Sequence, residues 1–183
     1  MSENKPDVVI VYCEGSFEKV ELGLLKDTIS QYNMTLWAYP RSPYAQASID
    51  LFFPFLEIGL SPEIMGEIYR NTVTSGAYDA IKLMLGHIYK KFHKRPIYKL
   101  QNNRIKEETP NIQFRMGNNC LVLPVDVDNE KFRYVVDRFM EKSAQTMPDI
   151  VTYSIYCEED DSLKRKTESD IISEEIAKSQ GTC

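Results

Sequence analysis

An α/β sandwich is the fold class that this 183-residue chain predicts, with a mixed sheet of about six strands and roughly three to four helices. Three observations carry the prediction. Residues 7–39 read as strand, helix, strand with short joints; two later stretches show a clear helical period; and the segment between them alternates like paired strands.

Asp7 to Cys13 (DVVIVYC) is a β-branched run suited to a strand buried on both faces. Phe17, Val20, Leu24 and Leu25 then start a helical pattern running to about Tyr32, with Ser16 placed to cap it. Met34 to Tyr39 is a second strand, and the short joints favour a parallel neighbour. Pro40 to Ser48 reads as a loop. Ile49 to Leu60 is apolar and extended, with Pro54 at an edge or bulge because it has no amide to donate.

Ser61 to Arg95 is a pair of helices. Ser61 caps the first, Pro62 opens it, and Ile64, Met65 and Ile68 form its apolar face. In the second, Ala77, Ile81, Met84, Leu85, Ile88 and Phe92 make one apolar stripe, while Asp79, Lys82, Gly86 and Lys90 fall on the opposite side. Ser75 is placed to cap this helix and Pro96 to end it.

Pro96 to Arg104, Asn111 to Met116 and Cys120 to Val125 are expected to form an antiparallel meander, with a polar link at Pro110 and a turn at Gly117 to Asn119. Asp128 caps a helix to Ser143, whose stripe is Phe132, Val135, Val136, Phe139 and Met140. Ile150 to Cys157 alternates as a half-buried last strand. The domain is thus residues 1–157. Residues 158–183 are acid-rich and free of aromatics, and are expected to be a disordered tail with at most a marginal helix at Ile171, Ile172 and Ile176.

The formal charge of −5 is unevenly placed. Four bases and eight acids lie beyond Cys157, so the tail carries −4 and the domain is almost neutral. The balance therefore argues neither for nor against nucleic acid. The four cysteines never form a CxxC pair, which argues against a zinc module, and Cys13 and Cys120 sit in strand-like runs as buried free thiols. MSENKPD has no apolar signal core and no run suits a membrane span. The expected setting is reducing and cytoplasmic.

Candidate sites compete with plain structural roles. Gly15 and Ser16, after the first strand, lie where α/β folds bind ligands, yet without GxGxxG or GxxxxGK[ST] ordinary strand-to-helix capping accounts for them. Thr74, Ser75 and Gly76 offer hydroxyls and amides to an anion at a helix start, and capping explains them too. Lys90, Lys91, His93, Lys94 and Arg95 suit a helix C-terminus. As a phosphate or RNA surface they would recruit Arg104 and Arg115. Asp126, Asp128 and Glu130 read as a strand exit and cap rather than a metal cluster, and His87 and His93 are out of phase on a helix. No catalytic set, metal site or cofactor is expected.

From Leu51 to Cys120, an apolar strand, IGLSPEIMGEIY, TSGAYDAIKLMLGHIYKKF and a strand pair resemble the effector-associated helper domains of bacterial antiviral conflict systems. The family places a tryptophan and an arginine-rich end where this chain has Tyr89 and KKFHKR, and no residue-specific role carries over. The resemblance implies a non-enzymatic adaptor. That agrees with the residue-level reading of a binding module with a protein partner or a homo-oligomeric state. The alternative is a sensor or enzyme acting on a nucleotide or other phosphate ligand bound between Gly15-Ser16, Ser75-Gly76 and the basic cluster, with RNA binding third. The geometry constrains the alternative: a helix of about 16 residues is roughly 24 Å long, so Gly76 and Lys91 to Arg95 cannot grip one small phosphate.

Overall fold

The computed structural model describes residues 5–42, 54–70, 76–101 and 104–180. It is an α/β fold built on a mixed seven-stranded sheet. In chain order the elements begin with β1 (Val8–Cys13), α1 (Lys19–Ser30), β2 (Leu36–Arg41), β3 (Leu56–Leu60), α2 (Pro62–Arg70) and α3 (Gly76–Phe92). They continue with β4 (Ile97–Gln101), β5 (Arg104–Glu108), β6 (Ile112–Met116), β7 (Asn119–Val122), α4 (Asn129–Gln145), β8 (Thr152–Cys157), β9 (Ser162–Thr167) and α5 (Glu168–Gln180).

The sheet order is β2-β1-β3-β6-β7-β8-β9, and parallel and antiparallel neighbours alternate across it. Each parallel pair is joined through helix: β1 to β2 by α1, β3 to β6 through α2 and α3, β7 to β8 by α4. Parallel neighbours need such a crossover, whereas β6-β7 and β8-β9 close as hairpins.

Successive strand residues face opposite sides of a sheet, and β7 shows this directly. Leu121 joins the main core with Phe114, Ile58 and Ile10, under Leu25 and Ile29 of α1, Met84 and Leu85 of α3, and Phe139 of α4. Its neighbour Cys120 faces the other way, into a smaller cluster with Tyr153 and Ile171 of α5. Helices α1 to α4 therefore cover one face and α5 the other. At the centre, β6 is buried on both sides, with Phe114 and Gln113 both fully inaccessible.

Two caps follow the sequence reading. Ser61 Oγ accepts from the Ile64 amide at 3.3 Å, and Asp128 Oδ1 accepts from the Lys131 amide at 2.8 Å. Ser16 does not cap α1. That helix starts at Lys19, where the Glu21 carboxylate accepts from the Glu18 amide at 2.8 Å, because Phe17 is drawn aside between Tyr12 and Phe92. Ser75, the expected cap of α3, lies outside the described residues.

The sheet departs from expectation in three places. The expected meander is split, since β4 pairs with β5 in a separate antiparallel ribbon and only its β6-β7 part is a hairpin within the main sheet. Tyr98 and Ile105 of that ribbon are 69% and 76% exposed, so it has too little buried surface to join the core. At the start of β3, Pro54 precedes the strand and its carbonyl accepts from the Arg41 guanidinium; residues 49–53 lie outside the described residues.

The third departure is the segment beyond Cys157, which is ordered through residue 180. β9 pairs antiparallel with all of β8, and α5 follows, anchored by buried Ile171. The strand SLKRKT hides its alternation because three consecutive bases, Lys164 to Lys166, fall on both of its faces, with Lys164 and Arg165 exposed and Lys166 paired to Glu174 of α5. An edge strand tolerates these well. A capping arrangement starts α5: the Thr167 amide and hydroxyl both donate to Asp170, at 2.8 and 2.7 Å.

Candidate binding groove

The expected anion sites are not brought together. Gly15 leaves β1 with φ +83°, and Phe17 two residues on packs against Phe92 at the carboxyl end of α3. Gly76 stands at the other end of that helix, with Tyr32 against it. Seventeen residues of helix, about 25 Å, separate the two. Thr74 and Ser75 lie outside the described residues.

The basic cluster is divided as well. Lys91 Nζ lies 2.5 Å from Glu21 Oε1 and sits over the Phe17 ring, tying α3 to α1. That hydrogen bond is the main reason the Glu21 carboxyl titrates below its usual range. His93 Nδ1 donates to the Val125 carbonyl at 2.9 Å. Arg115 Nε meets Glu57 Oε1 at 2.8 Å across β6 and β3, on the face away from α3. Arg104 opens β5 in the separate ribbon. Lys94 and Arg95 remain exposed beside Glu107 and Asp126, a neighbourhood of mixed sign. Lys90 alone faces a larger opening.

That opening is a groove of about 420 Å³ between α3 and α4, with Tyr32 also in its lining. Phe132 and Val136 of α4 and Gly86 of α3 form its floor, and Lys82, Lys90 and Arg133 stand around it. Asp79 and His87 complete the α3 wall. At Gly86 an added Cβ would meet nothing within 4 Å, so the groove is wide at that point because the side chain is missing. Leu83 on the rim is 49% exposed.

The walls are held by contacts between the two helices. Tyr78 donates to Asp137 Oδ1 at 2.9 Å, Lys82 Nζ reaches the same oxygen at 2.7 Å, and the ammonium also lies over the Tyr78 ring. Burial first, and the Asp137 acceptor second, push the Tyr78 hydroxyl well above the usual tyrosine range. Deeper in, Tyr89 stacks on Phe132 with centroids 4.4 Å apart and donates to the Val127 carbonyl at 2.8 Å. This fixes Phe132, which lines the groove, against α3.

The charge of the groove follows from these pairings. Three cations and one carboxylate line it, and Asp137 holds Lys82. Lys90 and Arg133 are exposed and have no ion pair among the described residues. An apolar floor with a cationic rim suits an anionic, amphipathic occupant. The sequence reading had placed Asp79, Lys82, Gly86 and Lys90 on one side of α3. It missed Arg133 and Asn129, whose signal is the polar row Asn129, Arg133, Asp137 at four-residue spacing on α4.

Among the described residues, no three His, Cys, Asp or Glu side chains gather as metal ligands, and no helix is long and apolar enough to cross a membrane. Cys120 is buried, and burial raises its thiol pKa to about 12. Cys13 is half-buried and its thiol is also raised, again first by burial.

Fold and groove together define an α/β protein with a cation-rimmed cleft between two helices. No protein-family model, curated protein or solved structure matches the chain.

Proposed function

We propose that this protein is a non-enzymatic adaptor module that acts through protein contact and receives an acidic, amphipathic segment of its partner between α3 and α4. The single observation behind this reading is the groove itself, with Phe132, Val136 and Gly86 as an apolar floor beneath Lys90 and Arg133. Apolar anchors in a groove supply affinity, and charges at its rim set orientation and partner choice. The likeness of Leu51 to Cys120 to helper domains supports an adaptor role and adds a setting, a bacterial defence system.

Two other readings draw less support. A phosphate ligand shared by Gly15, Ser16 and Gly76 would have to bridge the length of α3. An RNA surface would recruit Lys91 and Arg115, which are already paired with Glu21 and Glu57.

Peptide display against the whole protein tests the reading. Selected sequences are expected to be acidic with leucine or isoleucine at helical spacing, and their binding to vanish in Gly86→Trp and in Lys90→Glu/Arg133→Glu. Selection of basic or uncharged peptides, or binding that survives both variants, would reject it.

A further inference from the structure

We propose that the edge strand β2 pairs antiparallel with β2 of a second copy of this chain, so that two sheets join into one across a two-fold axis at Trp37. The surface is separate from the adaptor reading, since β2 contributes no residue to the groove.

The outer edge of β2 is open. Among the described residues no strand lies beyond it. On its inner side the Thr35 and Arg41 carbonyls accept from the Val8 and Glu14 amides at 3.0 and 2.9 Å. Backbone groups of successive strand residues turn to opposite sides, so the odd-numbered residues of β2 bond β1, and Leu36, Ala38 and Pro40 turn theirs outward.

That edge selects its own register. Pro40 has no amide, and the Met34 amide already donates to the Ile29 carbonyl at 3.4 Å, so Leu36 and Ala38 are the residues with amides to give. Setting Leu36 of each copy opposite the partner's Ala38 pairs both amides and both carbonyls, and it leaves Pro40 opposite the partner's Met34 just beyond the ladder. A slide by two residues spoils this. In one direction the Leu36 carbonyl meets the Pro40 ring, in the other the Ala38 carbonyl meets the occupied Met34 amide, and either carbonyl is left without a donor.

The side chains agree. Leu36 and Ala38 turn into the core, while Trp37 and Tyr39 lie on the other face of the sheet, ring to ring at 6.3 Å and still 46% and 44% exposed. In this register Trp37 faces the partner's Trp37 at a non-hydrogen-bonded position, where opposed side chains come closest, and Tyr39 lies diagonal to it. At about 200 Å² for each ring, covering the exposed parts in both copies removes about 350 Å² from water. With the strand edges added, the contact belongs among the small interfaces below about 1,200 Å², so the dimer is weak and reversible.

The pairing also stops at two copies. At the far edge of the sheet β9 exposes Lys164 and Arg165, and a second β9 laid against it would set like charges together. The two-fold axis stands perpendicular to the sheet, so α1 to α4 of both copies, and with them both grooves, lie on one face.

Trp37 is the single tryptophan of the chain, so its fluorescence reads the seam directly. In sedimentation velocity from low micromolar to millimolar concentration, the wild type is expected to pass from monomer to dimer and go no further. Over the same range the tryptophan emission should shift to the blue and lose its quenching by iodide. Trp37→Lys, which sets two ammonium groups opposite each other, should be monomeric with unchanged circular dichroism. Mild oxidation should join Trp37→Cys across copies through position 37, where opposed Cα atoms about 4.5 Å apart allow a disulfide, whereas Tyr39→Cys should not join through position 39.

A wild type that stays monomeric at its solubility limit, one that grows past dimer, or a dimer whose tryptophan emission does not move would overturn the proposal. So would linkage of Tyr39→Cys as readily as Trp37→Cys, which would break the register. Peptide binding in the groove is measured separately, and Trp37→Lys should bind acidic display peptides with the affinity of the wild type.

Discussion

Lys91 and Glu21 meet at 2.5 Å although 70 residues separate them in sequence, and their pairing closes α3 onto α1 beside Phe17. It turns the most basic stretch of the chain partly into a structural feature.

Replacing Glu21 with Gln should cost less than about 1 kcal/mol at neutral pH, because both partners keep access to solvent. Its pKa is lowered in the folded state, so its contribution is present above the unfolded value of roughly 4.3 and is lost as pH falls through the folded value. Urea titrations at pH 7 and at pH 3 should show a difference between wild type and Glu21→Gln at the first and almost none at the second. An equal difference at both would show that the pair is not its source.

Two glycines should respond to alanine in opposite directions. Gly86 is helical with open space at its Cβ, so Gly86→Ala should stabilise the fold by about 0.5–1 kcal/mol. Gly15 has φ +83°, and Gly15→Ala should cost about 1–2 kcal/mol. Thermal melts of the two variants give the comparison directly.

The α5 anchor can be read through a thiol. Cys120 lies beneath Ile171 with its pKa raised to about 12, so in the native protein mass-mapped alkylation at pH 8 should leave it unmodified. Ile171→Ala should cost about 2 kcal/mol or more and speed modification of Cys120 before global unfolding. Rapid labelling of Cys120 in the wild type would mean that α5 does not cover it.

Asp137→Asn keeps an acceptor for Tyr78 but removes the charge that holds Lys82. Lys82 should then serve the groove, and acidic peptides selected on the wild type should bind a few-fold more tightly, in line with about 0.5–1 kcal/mol for an exposed charge. Fluorescence anisotropy measures the change, and weaker binding would count against an electrostatic rim.

Much of the fold is legible from local pattern. The strand, helix, strand opening, the caps at Ser61 and Asp128 and the stripes of α3 and α4 follow from period and capping chemistry over a few residues. Ser16 and the β4-β5 ribbon were not legible, because each turns on a distant packing partner: Phe92 drawing Phe17 in, and the core leaving Tyr98 and Ile105 outside. β9 was obscured by Lys164 and Lys166, whose charges suggest solvent although their strand pairs along all of β8.

The groove divides in the same way. One wall was visible as the polar side of α3, since helical period alone puts Asp79, Lys82, Gly86 and Lys90 together. Arg133 and the floor at Phe132 and Val136 belong to a helix some fifty residues later, and a one-dimensional period says nothing about which helix packs beside which. Sequence by itself determined the α/β class, the helix faces and the excess of acid near the carboxyl terminus. Only the tertiary structure decided that Lys91 and Arg115 are paired, that Lys90 and Arg133 share a rim, and that α5 lies across the sheet from them. Those facts depend on long-range packing, in which each partner is chosen by the surface it can bury.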